Sequence, residues 1–186
     1  EVQGIPGWMG KDDCSVLYDY VKNVEGLIVE IGCFMGISTK VMALASPKSR
    51  IIAIDSFQTV HSSSGIINSE VARKGFIKNI EGLNIMFIHK SSHLVAETWN
   101  EKIDLLHIDG DHRYRGVKKD IVHFVPWVKS GGYVLFHDYV VGKREEETDL
   151  YFYENEEYGI HKAINESMDM FENVEIVSGF AVCKKK

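Results

Sequence analysis

A chain of 186 residues, 45% hydrophobic and 26% charged, has the balance of a globular protein and is long enough to bury one full core. Its formal charge of −6 and pI near 5.8 exclude a generally basic surface, so nucleic acid is not expected as a partner; the basic run Lys184-Lys185-Lys186 reads as a solvated tail. No apolar stretch reaches the roughly 18–20 residues of a membrane span and no signal-peptide core opens the chain, so no membrane partner is expected either.

The chain opens at Glu1 and not at Met, which leaves room for a segment upstream. A Gly/Pro-containing arm, Gly4-Ile5-Pro6-Gly7-Trp8-Met9-Gly10, leads into a helix with Asp12 or Asp13 near its N-cap and Val16, Leu17, Tyr20 and Val21 at helical spacing. Leu27-Ile28-Val29-Glu30-Ile31 is a short run rich in β-branched residues, the pattern of a strand buried on both faces. It breaks at Gly32 and Gly36 and continues as a helix over residues 38–45. A second buried strand, Arg50-Ile51-Ile52-Ala53-Ile54-Asp55, also ends in an acid. Residues 56–65 are polar and serine-rich and read as a loop, and residues 66–80 as an amphipathic helix stopped near Gly82.

A third strand covers residues 84–89, followed by Lys90-Ser91-Ser92 and a short helix to about Trp99. The fourth strand, Ile103-Asp104-Leu105-Leu106-His107-Ile108, runs into Asp109-Gly110-Asp111-His112. A helix carrying Val117, Ile121, Phe124 and Val125 then reaches the turn Lys129-Ser130-Gly131-Gly132, and the fifth strand, residues 133–136, ends in His137-Asp138. Residues 140–157 shift to an acidic and aromatic composition, a long connection expected to be a mobile flap over the site. Its triplet Tyr151-Phe152-Tyr153 fits either a cover over a bound molecule or a contact between copies in a homo-oligomer. A helix over residues 159–171 and two strands, 174–177 and 180–183, turning at Ser178-Gly179, complete the chain. The cysteines Cys14, Cys33 and Cys183 are odd in number and scattered, without C-x-x-C. They fit a reducing cytoplasm better than a disulfide framework or a zinc site.

Strands alternating with helices predict a mostly parallel, doubly wound α/β sheet, whose strand ends meet along one edge. That edge gathers Glu30 with the glycine loop, Asp55, residues 89–92, Asp109 to His112, and His137-Asp138, and in such sheets ligands bind there. The loop lets backbone approach a ligand closely, and the N–H groups of the following helix favour an anionic group. Its G-x-x-x-G spacing is not the G-x-G-x-x-G dinucleotide fingerprint. Asp55 stands where an acid accepts ribose hydroxyls, its alternative being a helix cap. Glu30 is placed to accept the loop's N–H groups or to meet a ligand ammonium. Ser91 and Ser92 read mainly as helix caps, and His107, inside its strand, as a satisfied core histidine. Asp109, Asp111, His112, His137 and Asp138 form a second set, suited to a divalent cation or to acid–base work.

Gly7-Trp8-Met9, the span Val29-Glu30-Ile31-Gly32-Cys33-Phe34-Met35-Gly36-Ile37-Ser38-Thr39, Ile54-Asp55, Ile108-Asp109-Gly110-Asp111-His112-Arg113-Tyr114, Gly131-Gly132 and Phe136-His137-Asp138-Tyr139 together resemble the class I S-adenosylmethionine-dependent methyltransferases. The branch with E-I-G-x-x-x-G-x-S-T and I-D-G-D-H-x-Y, to which macrolide-sugar O-methyltransferases are similar, is the nearer likeness. The resemblance implies a Rossmann-like seven-stranded sheet with its last strand antiparallel, spanning residues 1–186 as a single domain. It implies S-adenosyl-L-methionine as cofactor and O-methylation of a small molecule or sugar-like acceptor. Carried over, Glu30, Gly32, Cys33, Phe34, Gly36 and Ser38 form the cradle for the methionine and ribose part. Asp55 and Ser56 lie at the ribose, Ser91 and Ser92 at the adenine, and Asp109 with His112 beside the transferring methyl.

Two departures stand out. Phe34 occupies the place of the middle glycine in the commoner E-x-G-x-G-x-G form, and His137-Asp138 stands where metal-dependent relatives carry two acids or Asp-Asn. Asp109, His137 and Asp138 are therefore the residues for Mg²⁺ or another divalent cation if one takes part. Without an ion the proton acceptor is His112 or His137, the reading slightly preferred. The competing functions are an NAD(P)-dependent oxidoreductase, disfavoured by the loop spacing, and a non-catalytic S-adenosylmethionine-binding module.

Overall fold

The computed structural model describes residues 2–58, 60–62, 65–139 and 159–186. Seven strands make one sheet: β1 (Leu27–Ile31), β2 (Arg50–Asp55), β5 (Ile85–His89), β6 (Ile103–Ile108), β7 (Val128–Phe136), β8 (Phe171–Val177) and β9 (Phe180–Lys185). A separate antiparallel hairpin joins β3 (Val60–Ser62) to β4 (Gly65–Ile67). The order across the large sheet is β5-β2-β1-β6-β7-β9-β8. Strands β5, β2, β1, β6 and β7 pair in parallel, and β9 runs antiparallel to β7 and β8. This is the expected doubly wound sheet with an antiparallel last strand.

The chain starts in the middle of the sheet, moves outward through β2 and β5, and returns to the other side of β1 as β6. The crevice for a ligand opens at that reversal. Because side chains alternate along a strand, β1 serves two cores at once. Leu27, Val29 and Ile31 pack with Val117, Ile121 and Phe124 of α5 (Tyr114–Phe124) and with Ile160 and Ile164 of α6 (Ile160–Asn165). Ile28, on the opposite face, packs with Leu17 and Val21 of α1 (Lys11–Val21) and Val41 and Met42 of α2 (Ile37–Ala45). Phe76 of α3 (Ser69–Asn79) closes a third cluster with Ala53 and Phe87, and Val95 of α4 (Ser92–Ala96) joins the α5 side. Full burial of each large apolar side chain contributes on the order of 1.5–3 kcal/mol. The same alternation places Glu30 and its neighbour His107 on the α1/α2 face.

Several boundaries differ from the sequence expectation. The N-cap of α1 is Gly10; Asp13 lies in the first turn, and its Oδ2 accepts the Gly10 N–H at 3.1 Å. The serine-rich loop contains the β3–β4 hairpin, since Ile66-Ile67 enter a strand, and α3 begins only after Asn68, whose side chain accepts the Glu70 N–H at 2.8 Å. Lys129 to Gly132, expected as a turn, lie within β7; its register against β6 shifts there, and Gly131 takes φ +78°. The last helical stretch is shorter than expected: α6 ends at Asn165, a 3-10 turn covers Met168–Met170, and Phe171 already pairs in β8. The expected flap over residues 140–157 lies outside the described residues.

Candidate active site

After β1 the backbone turns through Gly32 at φ +85°, Phe34 at +43° and Gly36 at +88°, the last being the N-cap of α2. A Cβ on Gly32 would overlap the carbonyl of Asp109, so the loop after β1 touches the loop after β6, and only glycine fits between them. The loop is held by Asp55. Cys33 N–H and Phe34 N–H both donate to its Oδ2 at 2.9 Å, and Phe57 N–H donates to its Oδ1 at 2.7 Å. Two successive backbone donors on one carboxylate oxygen fix the left-handed turn at Phe34, a region costly for a non-glycine residue. The Phe34 ring packs at a tilt against Trp8 of the N-terminal arm, with centroids 4.9 Å apart. Asp55, expected at ribose hydroxyls, also organises the cradle, and the lone pairs left over from its three N–H donors face any ligand there.

Glu30 differs from expectation. It is 0% exposed and takes the hydroxyl protons of Ser38 and Thr39, while His107 Nδ1 lies 3.3 Å from its Oε1. The Cys33 and Phe34 N–H groups go to Asp55 and those of Gly32 and Gly36 to backbone carbonyls, and Glu30 pins the first turn of α2 from beneath, with no surface offered to a ligand ammonium. Ser38 spends its proton on Glu30 and is buried as well. His107 is in the core, as read, but it is only half satisfied: its Nε2 has no hydrogen-bond partner among the described residues.

The second set converges as expected. His112 Nε2 and His137 Nδ1 each lie 3.3 Å from Asp109 Oδ1, and Asp138 stands 3.7 Å from His112 and 3.6 Å from His137. Burial disfavours the Asp109 carboxylate, but hydrogen bonds from His112 and His137 and the charges of His137 and His107 hold its pKa far below the usual range. Burial alone would lower the His137 pKa; the bond to Asp109 and the charges of Asp109, Asp138 and Asp13 outweigh it and take the pKa up to about 9. His137, 3% exposed, is thus favoured in its protonated form by these carboxylates and lies deeper than a proton acceptor needs to be. His112 is also raised: burial opposes its charge, but Asp109 and Asp138 prevail. It is the more accessible of the two imidazoles. Asp111, by contrast, is tied to Arg113 at 2.6–3.1 Å.

One donor atom from each of Asp109, His137 and Asp138 lies within 4.8 Å of the others. Two carboxylates and an imidazole suit a divalent ion. The Asp13 carboxylate, 3.6 Å from His137 Nε2, stands where a carboxylate commonly orients a ligating imidazole. The set fits a metal.

Of the remaining expected residues, Ser56 follows β2, its carbonyl 3.2 Å from His89 Nε2. Ser91 is the N-cap of α4 without a side-chain cap bond, and Ser92 donates its hydroxyl to Asp120 Oδ1. Asp120 was given no role from the sequence, and Asp13 only a place near a helix N-cap. Each interrupts an apolar stripe, Asp13 four residues before Leu17 and Asp120 between Val117 and Ile121, and a charge on a buried stripe was the available signal.

A family model described as a methyltransferase domain matches residues 29–139, more than half of the chain. The chain belongs to that family. Within this methyltransferase-domain protein, the matched span holds the glycine loop, Asp55, Ser91, Ser92, Asp120 and the whole Asp109–Asp138 cluster. An uncharacterised protein of Acanthamoeba polyphaga mimivirus is 32% identical over 117 residues, 60% of this chain and 50% of that protein, so the chain spans half the length of this relative. Among solved structures, the O-methyltransferase NovP aligns with a TM-score of 0.69 at 16% identity, covering 95% of this chain and 81% of NovP. The Podospora anserina methyltransferase PaMTH1, solved with S-adenosylhomocysteine bound, aligns with a TM-score of 0.65 at 16% identity, covering 93% and 77%. At such identities the likeness is one of fold. No helix among the described residues is long and apolar enough to cross a membrane.

Proposed function

We propose that residues 1–186 act as one catalytic unit that transfers a methyl group from S-adenosylmethionine to an oxygen of a small-molecule acceptor. The observation that carries this reading is the contact at Gly32: the glycine cradle held by Asp55 abuts the backbone of Asp109, so a cofactor pocket and an acid–imidazole cluster share one wall. The family membership and the O-methyltransferases of like fold support it, and the net charge of −6 favours a small acceptor over nucleic acid.

The cradle fits such a cofactor: its glycines clear space, and the first-turn N–H groups of α2 lack intrahelical acceptors. When bound, S-adenosylmethionine supplies the electrophilic methyl of a sulfonium. Asp55 then fixes the loop, Glu30 fixes the start of α2, and the cluster receives the acceptor. For in-line displacement of that methyl, the chain's own part would be to hold the acceptor oxygen at the cluster and to take the acceptor's proton on His112. Asp109 and Asp138 hold the resulting imidazolium. If a divalent ion takes part, Asp109, His137 and Asp138 hold it, and it supplies a Lewis acid for the acceptor oxygen.

The test is release of S-adenosylhomocysteine with a panel of phenolic, catecholic and sugar acceptors, before and after exhaustive chelation. Activity is expected to survive chelation and to fall about 100-fold or more in His112→Ala. Loss on chelation with recovery on Mg²⁺ would transfer the role of His112 to an ion. No turnover with any acceptor, despite tight cofactor binding, would leave a binding module.

A further inference from the structure

The loop that carries His112 is braced from outside by a residue to which methyl transfer as described gives no part. Gly159, the buried N-cap of α6, donates its N–H to the carbonyl of His112 at 2.8 Å. It also lies against the backbone of Tyr114: a Cβ on Gly159 would stand 2.1 Å from both the nitrogen and the Cα of that residue. Gly159 takes φ −109°, which any residue adopts, so glycine is required here for close approach and not for a turn. One glycine thus holds both ends of the stretch 112–114.

The rest of α6 strengthens the same hold. Lys162 Nζ sits 4.6 Å from the centre of the Tyr114 ring, and the Tyr114 hydroxyl donates to Glu166 Oε2 at 2.6 Å. Lys118, one turn further along α5, donates to Ser167 Oγ at 3.1 Å. These contacts set where the His112 backbone stands, and the imidazole has little margin. Its Nε2 is already 3.3 Å from Asp109 Oδ1, so a shift of about half an ångström is enough to break that bond. We propose that Gly159 is a positioning residue for proton removal, acting through His112: it braces residues 112–114 against α6 and so keeps the imidazole on Asp109. The inference rests on the role given to His112 above. A larger residue at 159 must push the His112 loop away from α6. The cradle is held separately, by Asp55 and Glu30, so the cofactor should bind as before.

The experiment is a double-mutant cycle on the single-turnover rate of S-adenosylhomocysteine formation, with catechol or whichever member of the acceptor panel reacts fastest. Gly159→Ala is expected to slow transfer by about tenfold or more, because a small misplacement of a reacting group is costly. Its affinity for S-adenosylhomocysteine by calorimetry should stay within about twofold of wild type. In a His112→Ala background the same substitution should add less than about twofold, because the group it misplaces is gone. Tyr114→Leu removes the ring beneath Lys162 and the hydroxyl bond to Glu166, and so loosens the same brace by a milder route. It should slow transfer about threefold with His112 present and leave the rate unchanged without it, and it decides the matter if Gly159→Ala does not fold. A merely structural tie would slow both backgrounds alike. Equal losses in the two backgrounds, or a wild-type rate in Gly159→Ala or in His112→Ala, overturns the inference and leaves the methyltransferase reading standing. No turnover by the wild-type chain with any acceptor overturns both.

Discussion

Asp55 and Asp120 are acids of the same type with opposite surroundings, and the difference sets what each does. Asp55 collects three backbone N–H groups, bonds worth roughly 1.5–3 kcal/mol each at most to a charged acceptor. Asp55→Ala should therefore release the turn at Phe34 and lower S-adenosylhomocysteine affinity by about tenfold or more; unchanged affinity by calorimetry would remove Asp55 from the cradle. Asp120 has one hydroxyl and little else, and burial lifts its pKa from 3.8 to about 7. The folded chain thus holds that proton more tightly than the unfolded one. The stability this contributes is complete below about pH 3.8 and is lost as pH rises through 7, a difference of at most about 4 kcal/mol. Asn does not titrate, so Asp120→Asn should flatten this decline and gain on wild type at pH 8 but not at pH 4, as read from urea midpoints. Parallel pH profiles for the two chains would show that Asp120 ionises freely.

At the scale of elements, α1 is more than a cover for one sheet face. Asp13 in its first turn accepts from Gly10 N–H at 3.1 Å, from Ser178 Oγ at 2.6 Å and from Gly179 N–H at 3.2 Å, and faces His137. One carboxylate so joins the N-terminal arm, the β8–β9 turn and the end of β7, three segments distant in sequence. Burial opposes its charge, yet these donors keep its pKa below 3.8. Asp13→Ala should cost about 2–4 kcal/mol in urea denaturation, from a lost helix-start bond, two lost turn bonds and a buried imidazolium left with less compensation. A loss below about 0.5 kcal/mol would mean that the three segments are held by apolar packing alone.

For the molecule as a whole, the sheet order brings the cradle and the acid–imidazole cluster together on either side of the β1/β6 reversal. A ligand that binds only the folded chain stabilises it by about 2.7 kcal/mol at a hundredfold excess over its Kd. For a chain of this size that shifts Tm by roughly 5–10 °C. S-adenosylhomocysteine should produce such a shift and NAD should not. An equal response to NAD would return the oxidoreductase reading.

The strands, their parallel order, the glycine loop and the chemistry at the strand ends were legible in the sequence because they follow from local rules. A β-branched run bounded by glycine makes a buried strand, and alternation with helices forces the strand ends to one edge. The direction in which each acid turns was not. Glu30 and Asp55 each end a strand, but Glu30 belongs to the face covered by α2, where Ser38 and Thr39 claim it, and Asp55 reaches the N–H groups of Cys33 and Phe34. His137 read as a base or a metal ligand, and that Asp13, 124 residues away in the chain, and Asp109 both face it is visible only in the fold. Residue type and spacing determine which groups reach the site; charge state and hydrogen-bond allegiance depend on partners that only tertiary packing supplies.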